Sequence, residues 1–369
     1  MSIRISIHHG TELHQFAHLT GIPVVSSLMG LDAYPHDDPL FVGMIGTYGN
    51  RYANLTVANA DLLIALGTRL DTRQTGTLPA TFARGAKKIH VDIDENELNN
   101  KIKVDKSLHM DIKEFLILLT SKLSYVDPIK HSSWYSRIKD YKSKYLPKYP
   151  NENNDINPCA FFSALSDNMP EDAIICVDVG QIQMWAAQTL KIRGEQRFFT
   201  QGGMASIGSA LPMAIGASFA RPGKKIIVIT GDGGFQLNIQ ELQTVFHHNL
   251  PIKIIMLNNC GYGMIRQFQK QYFNGRLQSS VIGYSNPDFQ DVVRAYKIPS
   301  ERVSSPDMIG SALKNLFKDN RPVFLEIPIN EKFRVIPKLA INMPIEDQEP
   351  LLERGELKSN MIIEILQEK

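Results

Sequence analysis

The sequence predicts an α/β protein built from two doubly wound parallel-sheet domains. Short runs rich in Ile and Val, such as residues 226–229 and 252–257, are typical of buried parallel strands. Segments with apolar residues at helical spacing lie between such runs, and glycine-rich turns follow them. With 369 residues, 43% of them hydrophobic and 21% charged, the chain is long enough for two domains of ordinary globular composition.

The first predicted domain covers residues 1–122 and begins with a helix at residues 11–20. Strands are then expected at residues 22–26, 60–67 and 88–93. An open parallel sheet normally has a strand and a glycine turn before its first helix. This segment lacks them, so the domain is expected to be truncated at its N-terminus. The pair His8 and His9 is interpreted as a ragged terminus, because no further ligands for a metal can be placed beside it.

A segment rich in Lys, Tyr, Ser and Pro follows at residues 123–155. Its composition predicts an interdomain linker on the surface, with one amphipathic helix around residues 134–145. Residues 341–369 form an acidic tail with a terminal amphipathic helix.

The second predicted domain covers residues 156–340. Asn157 and Pro158 are expected to start a helix, and residues 173–177 to form the next strand. Between the two Ile-rich strands, Asn238 is expected to be the N-cap of a helix. The apolar face of this helix would carry Ile239, Leu242, Val245 and Phe246.

Two turns in the second domain carry the strongest chemical signal. Gly231-Asp232-Gly233-Gly234 follows the first Ile-rich strand, and Asn258-Asn259-Cys260-Gly261 follows the second. Both turns should emerge at the carboxyl edge of the sheet, where α/β proteins bind ligands. Glycines let backbone N–H groups approach a phosphate, and carboxylate and amide oxygens suit Mg²⁺. The turns therefore predict a diphosphate and Mg²⁺ site, the alternative being a tight strand-to-helix turn without a ligand.

Other phosphate motifs and several classes of partner fit poorly. No Gly-Lys-Ser/Thr follows the glycines, and Gln236 breaks the Rossmann spacing. A net charge of +2 without a basic tract speaks against nucleic acid, and no apolar run is long enough to span a membrane. Cys159, Cys176 and Cys260 lack metal-site spacing and are expected to be reduced thiols in a cytoplasmic protein. Cys260 is expected to be a buried spectator, the alternative being a reactive thiol.

The paired turns resemble the signature of enzymes that use thiamin diphosphate. Residues 26–30, 43–49 and 61–73 resemble the central domain of acetolactate synthase large subunits, whose Gly-x-Arg-x-Asp-x-Arg stretch contacts FAD. The resemblance implies that an FAD, where it is bound, would be structural. It would be contacted by Gly67, Thr68, Arg69, Asp71, Arg73, Asp92 and Ile93. As an alternative, Arg69, Asp71 and Arg73 could form a solvated cluster of salt bridges.

The same resemblance implies the residues of the thiamin diphosphate site. They are Gln181, Gly203, Ile207, Asp232, Gly233, Gly234, Asn259, Gly261 and Tyr262. Asp232, Asn259 and the carbonyl of Gly261 would bind Mg²⁺, and Ile207 would bend the cofactor. Ile182 replaces a family histidine, so one hydrogen bond to the diphosphate is lost while Gln181 remains.

On the substrate side, the resemblance implies that Met264 and Phe268 line the acceptor channel. Phe268 replaces a family tryptophan, so the identity of the acceptor substrate is undecided. The change is consistent with a larger or sugar-derived acceptor. The tail at residues 341–369 resembles a family extension that can cover the active site, the alternative being solvated surface.

The implied function is a carboligase of branched-chain amino acid biosynthesis. Such an enzyme decarboxylates pyruvate and transfers the two-carbon unit to a second 2-oxo acid. No catalytic residue is assigned in this chain, because the family's activating glutamate belongs to an N-terminal pyrimidine-binding domain. The chain is therefore expected to be inactive alone, and to form a homo-oligomer or join a partner that supplies that domain. Another 2-oxo-acid decarboxylase or carboligase, or a non-catalytic fragment or subunit of a split enzyme, stay open as alternatives.

Overall fold

The computed structural model describes residues 10–123, 132–147 and 154–366. The chain divides into two compact units. Unit 1 comprises Met1–Pro147 and Ile336–Lys369, and unit 2 comprises Lys148–Val335. The sequence-based boundaries at residues 122, 155 and 340 remain predictions, and the pair His8 and His9 lies outside the described residues.

Unit 1 alternates helices and strands over its N-terminal part. The elements are α1 (Thr11–Thr20), β1 (Val24–Ser26), β2 (Phe41–Met44), α2 (Arg51–Ala58), β3 (Leu62–Leu66), α3 (Thr72–Thr75), β4 (Lys87–Asp92), β5 (Lys106–His109), α4 (Ile112–Leu123) and α5 (Ser132–Tyr145). Short 3₁₀ turns occur at Leu28–Ala33, Pro79–Thr81 and Glu95–Glu97. The predicted first helix and the three predicted strands are confirmed, and their observed ends lie within two residues of the predicted ones.

The strands of this part form two small parallel sheets. One contains β1 and β2, and the other has the order β3-β4-β5. Phe16 of α1 and Phe115 of α4 pack with Val91 of β4 in a buried apolar cluster. Helix α5 lies in the segment predicted as a linker, and its Ile138 and Tyr141 are buried in the core of unit 1. The predicted helix is thus present, and its apolar face packs into this unit.

Unit 2 is the larger parallel-sheet unit. Its elements are α6 (Pro158–Asn168), β6 (Ile174–Val177), α7 (Gln181–Thr189), β7 (Arg197–Thr200), α8 (Ala210–Ala220), β8 (Ile226–Gly231), α9 (Asp232–Leu237), α10 (Leu242–His247), β9 (Ile252–Asn258), α11 (Gly263–Tyr272), α12 (Phe289–Ala295), β10 (Ser300–Arg302), α13 (Ile309–Phe317) and β11 (Val323–Pro328). The six strands are parallel, in the order β10-β11-β9-β8-β6-β7.

The two Ile-rich runs are the central strands β8 and β9, as predicted. Ile226 pairs with Ile252 and Ile229 with Ile255, and all four side chains are fully buried. Helices cover the sheet, which explains why these strands are apolar on both sides. The predicted start of α6 is also confirmed, because Asn157 Oδ1 accepts hydrogen bonds from the backbone N–H groups of Cys159 and Ala160.

A helical segment does start after Asn238, as predicted, with a 3₁₀ turn at Ile239–Glu241 that runs into α10. The prediction missed the short helix α9, which begins at Asp232 directly after β8. The Asn238 side chain makes no cap and donates instead to the carbonyl oxygen of Gly208, 2.6 Å away. The glycines that read as a loop are therefore the first turn of a helix. Their missing side chains serve close packing, as described below.

The C-terminal segment of unit 1 contains the antiparallel pair β12 (Lys338–Leu339) and β13 (Gln348–Glu349), and α14 (Arg354–Asn360). Glu346 and Asp347 are buried and pair with Arg84 and Arg354 at 2.6 and 2.7 Å. The alternative that this part of the tail is solvated surface is therefore wrong. That the tail covers an active site stays a prediction. Among the helices that the structure describes, none is long and apolar enough to cross a membrane.

Candidate functional site

The two predicted turns meet at the carboxyl edge of the unit 2 sheet. Strand β8 ends at Gly231 and the adjacent strand β9 at Asn258, and Gly231 is in register with Leu257. The next residues along the chain, Asp232 and Asn259, are consequently neighbours in space. Parallel pairing of β8 and β9 is the physical reason, since it brings both strand ends to one edge.

Three oxygen atoms converge at this edge, and we call them the oxygen cluster: Asp232 Oδ1, Asn259 Oδ1 and the carbonyl oxygen of Gly261. Asn259 Oδ1 lies 3.3 Å from Asp232 Oδ1 and 2.8 Å from Gly261 O. The other carboxylate oxygen, Asp232 Oδ2, accepts from Tyr284 Oη at 2.6 Å and from Gly261 N at 2.9 Å. The carboxylate is 1% exposed, and this burial raises the pKa of Asp232.

The oxygen cluster fits a hard divalent cation. Oxygens at this spacing repel each other unless a donor or a cation lies between them, and burial makes the repulsion costly. A carboxylate, an amide oxygen and a backbone carbonyl are ligands that Mg²⁺ takes, the remaining positions of its octahedron being left for phosphate oxygens and water.

The glycines of the first turn are needed for packing. A Cβ on Gly233 would lie 2.6 Å from the Tyr262 ring, and one on Gly234 would lie 2.3 Å from Asp178 Oδ2. On the second turn, a Cβ on Gly261 would lie 2.6 Å from the carbonyl oxygen of Ser280. Both turns are thus closely backed on the protein side by residues that leave no room for larger side chains.

Asp178 is a structural residue of the site to which the sequence pattern assigns no role. Its carboxylate is 1% exposed and accepts from Gly208 N and Val179 N at 2.8 Å and from Thr230 Oγ1 at 3.1 Å. Burial raises the pKa of Asp178. The sequence did offer one signal for Asp178, because it directly follows the apolar strand β6. A carboxylate at the end of a parallel strand lies at the carboxyl edge of the sheet, and β6 is next to β8.

Tyr284 is the second residue that the pattern does not reveal. Its hydroxyl donates to Asp232, from a position 52 residues further along the chain. Burial and this carboxylate together raise the pKa of Tyr284, so the group stays a neutral donor. Its ring packs edge-on against Tyr262 with centroids 5.1 Å apart.

The amide of Gln181 lies beside the oxygen cluster, 4% exposed. Its Oε1 accepts from Asn259 Nδ2 at 3.0 Å. Its Nε2 donates to Gln267 Oε1 at 3.0 Å and to the carbonyl oxygen of Phe333 at 3.4 Å. A hydrogen bond from Gln181 to a diphosphate stays a prediction, because both amide hydrogens face protein acceptors here.

The remaining predicted residues of unit 2 lie on either side of the two turns along the chain. Gly203 and Ile207 precede α8 and are exposed, Ile207 to 41%. Met264 is half-buried in the first turn of α11, and Phe268 lies one turn later with its ring 4.7 Å from that of Tyr272. Residues four apart share one face of a helix, so Met264 and Phe268 line the same side of α11.

The three cysteines form no disulfide among the residues that the structure describes. Cys159 and Cys176 are buried, and Cys260 is exposed. The prediction that Cys260 is buried is wrong, since it is exposed in a left-handed backbone conformation with a φ of 50°. Partial desolvation and the nearby Asp232 carboxylate raise the pKa of the Cys260 thiol, which keeps it protonated.

In unit 1, the predicted flavin residues follow the ends of the adjacent strands β3 and β4. Gly67 and Thr68 come after β3, with Thr68 Oγ1 donating to Gln74 Oε1 at 2.7 Å. Arg69 pairs with Glu97 at 3.0 Å, which is a partner from outside the Gly-x-Arg-x-Asp-x-Arg stretch.

The other residues of this group have local partners as well. Asp71 caps α3 by accepting from Arg73 N, while Asp92 Oδ1 accepts from Asp94 N at 2.9 Å. Asp92 is buried, whereas Ile93 is 49% exposed. Gly67 and Asp92 lie at the carboxyl ends of the adjacent strands β3 and β4. Contact of these residues with a flavin stays a prediction.

Unit 1 also contains a group of His14, His18 and Asp38 with spacing that a metal could use. Both histidine Nε2 atoms lie on the same oxygen, Asp38 Oδ2, at 3.1 and 2.7 Å, and Asp38 Oδ1 accepts from Leu40 N. Hydrogen bonds therefore account for this carboxylate without a metal.

Two family models match this chain. The chain matches the central domain of thiamine pyrophosphate enzymes over residues 3–119, and their C-terminal TPP binding domain over residues 178–327. It is 36% identical over 351 residues to acetolactate synthase 1, chloroplastic, of Zea mays, covering 92% of this chain and 54% of the relative.

Two microbial relatives are similarly close. The acetolactate synthase isozyme 2 large subunit of Escherichia coli is 35% identical over 325 residues, which cover 88% of this chain and 58% of the relative. The probable acetolactate synthase large subunit of Methanocaldococcus jannaschii is 36% identical over 325 residues, covering 86% and 55%. The chain spans about half the length of the curated relatives it matches.

Proposed function

The chain belongs to the thiamine pyrophosphate enzymes, and from this premise we propose that unit 2 binds the diphosphate end of thiamin diphosphate through Mg²⁺ at the oxygen cluster. The observation that carries the proposal is the convergence of Asp232 Oδ1, Asn259 Oδ1 and Gly261 O. The reaction class we propose is that of acetolactate synthases, in which a 2-oxo acid loses CO₂ and its two-carbon unit is transferred to a second 2-oxo acid.

When bound, thiamin diphosphate supplies a thiazolium carbon that stabilises negative charge on the former keto carbon. The residues of this chain would hold and orient it. Asp232, Asn259 and Gly261 would bind Mg²⁺, and the backbone N–H groups of Gly233 and Gly234 would face the phosphates. Tyr284 would keep Asp232 turned so that only its Oδ1 faces the cation.

The acceptor side is proposed to lie along one face of α11. Met264 and Phe268 share this face, and Phe268 is 43% exposed, so it offers an apolar surface to a substrate. Because its ring is smaller than an indole, the position leaves room for a larger acceptor. A panel of 2-oxo acids and sugar-derived aldehydes, with pyruvate as donor, identifies the acceptor. Product formation with pyruvate alone as acceptor would contradict a larger one.

A structural FAD in unit 1 is the finer proposal for the edge of the β3-β4-β5 sheet. The diphosphate of FAD would compete with Glu97 for the Arg69 guanidinium. Glu97→Gln should therefore tighten FAD binding, measured by the quenching of flavin fluorescence on titration. Unchanged binding in this variant, or no binding by either protein, would count against the site.

The assembly of the chain is also a proposal. The relatives from Escherichia coli and Methanocaldococcus jannaschii are named large subunits. We expect this chain to form a homo-oligomer or to bind a protein that supplies the pyrimidine-binding domain. Light scattering after gel filtration tests the first expectation, and a monomer at all concentrations would contradict it.

The central test measures binding of thiamin diphosphate to the full chain by calorimetry, with and without Mg²⁺. We expect binding that requires Mg²⁺ and is lost in Asp232→Ala. Asp155→Ala is the matched control, because this carboxylate pairs with Lys332 in unit 2 and takes no part in the oxygen cluster. Equal Mg²⁺-dependent binding by Asp232→Ala and the wild type would refute the proposal.

A further inference from the structure

We propose that Gln267 is a positioning residue for the metal. Acting through Gln181, it holds the amide of Asn259 in the orientation that keeps its oxygen in the oxygen cluster. This inference rests on the proposed function and deepens it, because it explains what keeps the site open for a cation. It assigns a task to a buried side chain, 8% exposed, that touches neither the metal ligands nor the cluster.

The amide of Asn259 has two possible orientations with different consequences. In the structure its Oδ1 faces the oxygens of Asp232 and Gly261, and its Nδ2 donates to Gln181 Oε1. Turned over, its nitrogen would donate to Asp232 Oδ1 at 3.3 Å and to Gly261 O at 2.8 Å, while its oxygen would face Gln181 Oε1 at 3.0 Å. The turned amide satisfies the local acceptors without a cation, so it would close the metal site.

The backbone of Val335 determines the orientation of Gln267. The amide nitrogen of Val335 donates to Gln267 Oε1 at 2.9 Å, and Gln267 Nε2 donates to the carbonyl oxygen of Val335 at 3.0 Å. A backbone N–H can only donate and a backbone carbonyl can only accept. The oxygen of Gln267 must therefore face the N–H group of Val335. Turning this amide over would break both hydrogen bonds.

This orientation is passed on to Gln181. The same oxygen of Gln267 accepts from Gln181 Nε2, whose other hydrogen faces the carbonyl oxygen of Phe333. With its nitrogen held by two acceptors, Gln181 must present Oε1 to Asn259. That oxygen accepts from Asn259 Nδ2 and repels the oxygen of a turned amide. We call this chain of hydrogen bonds from Gln267 through Gln181 to Asn259 the relay. It favours the orientation of the Asn259 amide that a cation needs.

Gly263 leaves the space in which the relay lies. A Cβ at this position would be 2.0 Å from Gln181 Oε1 and 2.5 Å from Asn259 Nδ2. Any larger residue at this position would push the amides of Gln181 and Asn259 apart, so the glycine is required for their contact.

The test measures Mn²⁺ binding to the full chain in the presence of thiamin diphosphate, by electron paramagnetic resonance of the free ion. Gln267→Leu removes the acceptor that orients Gln181. Losing the bias of one buried hydrogen bond should weaken Mn²⁺ binding about tenfold. Gln183→Leu is the matched control, since Gln183 is also buried and bonded, to Thr200, but has no link to Asn259. Its Mn²⁺ affinity should stay at the wild-type level.

A second background separates orientation from general structure. In Asn259→Asp both ends of the side chain are oxygens, so turning it over no longer removes a ligand. In this background, Gln267→Leu should leave Mn²⁺ affinity unchanged. An equal loss in both backgrounds would overturn the inference, because Gln267 would then act on the fold in general. No loss in the wild-type background would overturn it too.

Gln267→Glu keeps the proposal testable if the leucine variant does not fold. Burial keeps this acid protonated, so it retains both an acceptor and a donor and should bind Mn²⁺ nearly as well as the wild type. A loss as large as that expected of Gln267→Leu would contradict the relay. If the wild type binds no Mn²⁺ with thiamin diphosphate, the proposed function fails and the inference with it. If the wild type binds Mn²⁺ and Gln267→Leu binds it equally well, the inference about Gln267 fails and the proposed function stands.

Discussion

Gly234→Ala should destabilise unit 2, although the same change in a helix normally stabilises. Gly234 lies within α9, where alanine is favoured over glycine by about 1 kcal/mol. A Cβ there would lie 2.3 Å from Asp178 Oδ2, about 1 Å inside ordinary contact. Asp178 cannot yield without lengthening its bonds from Gly208 N and Thr230 Oγ1. Each hydrogen bond to a buried charge contributes about 1.5–3 kcal/mol, so we expect a net loss of about 1–3 kcal/mol.

Urea unfolding followed by the fluorescence of Trp185, which is buried in unit 2, measures this loss. The matched control is Gly216→Ala in α8, an exposed position where a Cβ would meet no atom within 4 Å. This control should stabilise by up to about 1 kcal/mol. The reasoning is refuted if both variants shift the unfolding midpoint upwards, because the contact with Asp178 would then carry no cost.

Three further predictions concern titratable groups of unit 2. Burial raises the pKa of Asp232, so its ionised form lowers stability above that pKa. Asp232→Asn should therefore raise the urea midpoint of the metal-free protein at neutral pH, and a gain that does not shrink towards acidic pH would contradict this. Burial lowers the pKa of Lys253 from 10.5 to about 8, so stability should rise with pH between these values as the unfolded chain binds the extra proton. Lys253→Met should flatten that rise in urea titrations, and an unchanged slope would show that other groups cause it. Cys260 should react with a disulfide reagent at neutral pH more slowly than a free cysteine, because its pKa is raised; faster labelling would mean a stabilised thiolate.

Much of the fold followed from local patterns. The apolar runs of β8 and β9 have one stable solution, a sheet covered on both sides, and parallel order then brings Asp232 and Asn259 to one edge. The cap at Asn157 was equally local, because an Asn followed by Pro favours a helix start over a few residues of chain.

The errors arose where a tertiary contact overrode a local preference. Asn238 has the chemistry of an N-cap and precedes a helical segment, yet its amide donates to the carbonyl oxygen of Gly208 and makes no cap. Cys260 was expected to be a buried spectator, but it is exposed and adopts a left-handed backbone conformation. Glu346 and Asp347 were expected as part of a solvated acidic stretch, but both are buried and pair with Arg84 and Arg354.

The chain's sequence by itself determined the two glycine and asparagine turns, their position at strand ends and the hard oxygen ligands they carry. Spacing along the chain is enough for this, because strand periodicity and turn chemistry act over a few residues. Only the tertiary structure decided which way the Asn259 amide faces, since its partners Gln181 and Gln267 lie on other elements. It also decided that Tyr284 supports Asp232 and that Asp178 backs Gly234. Such contacts join residues tens of positions apart, and hydrogen-bond direction between them exists only once the chain has folded.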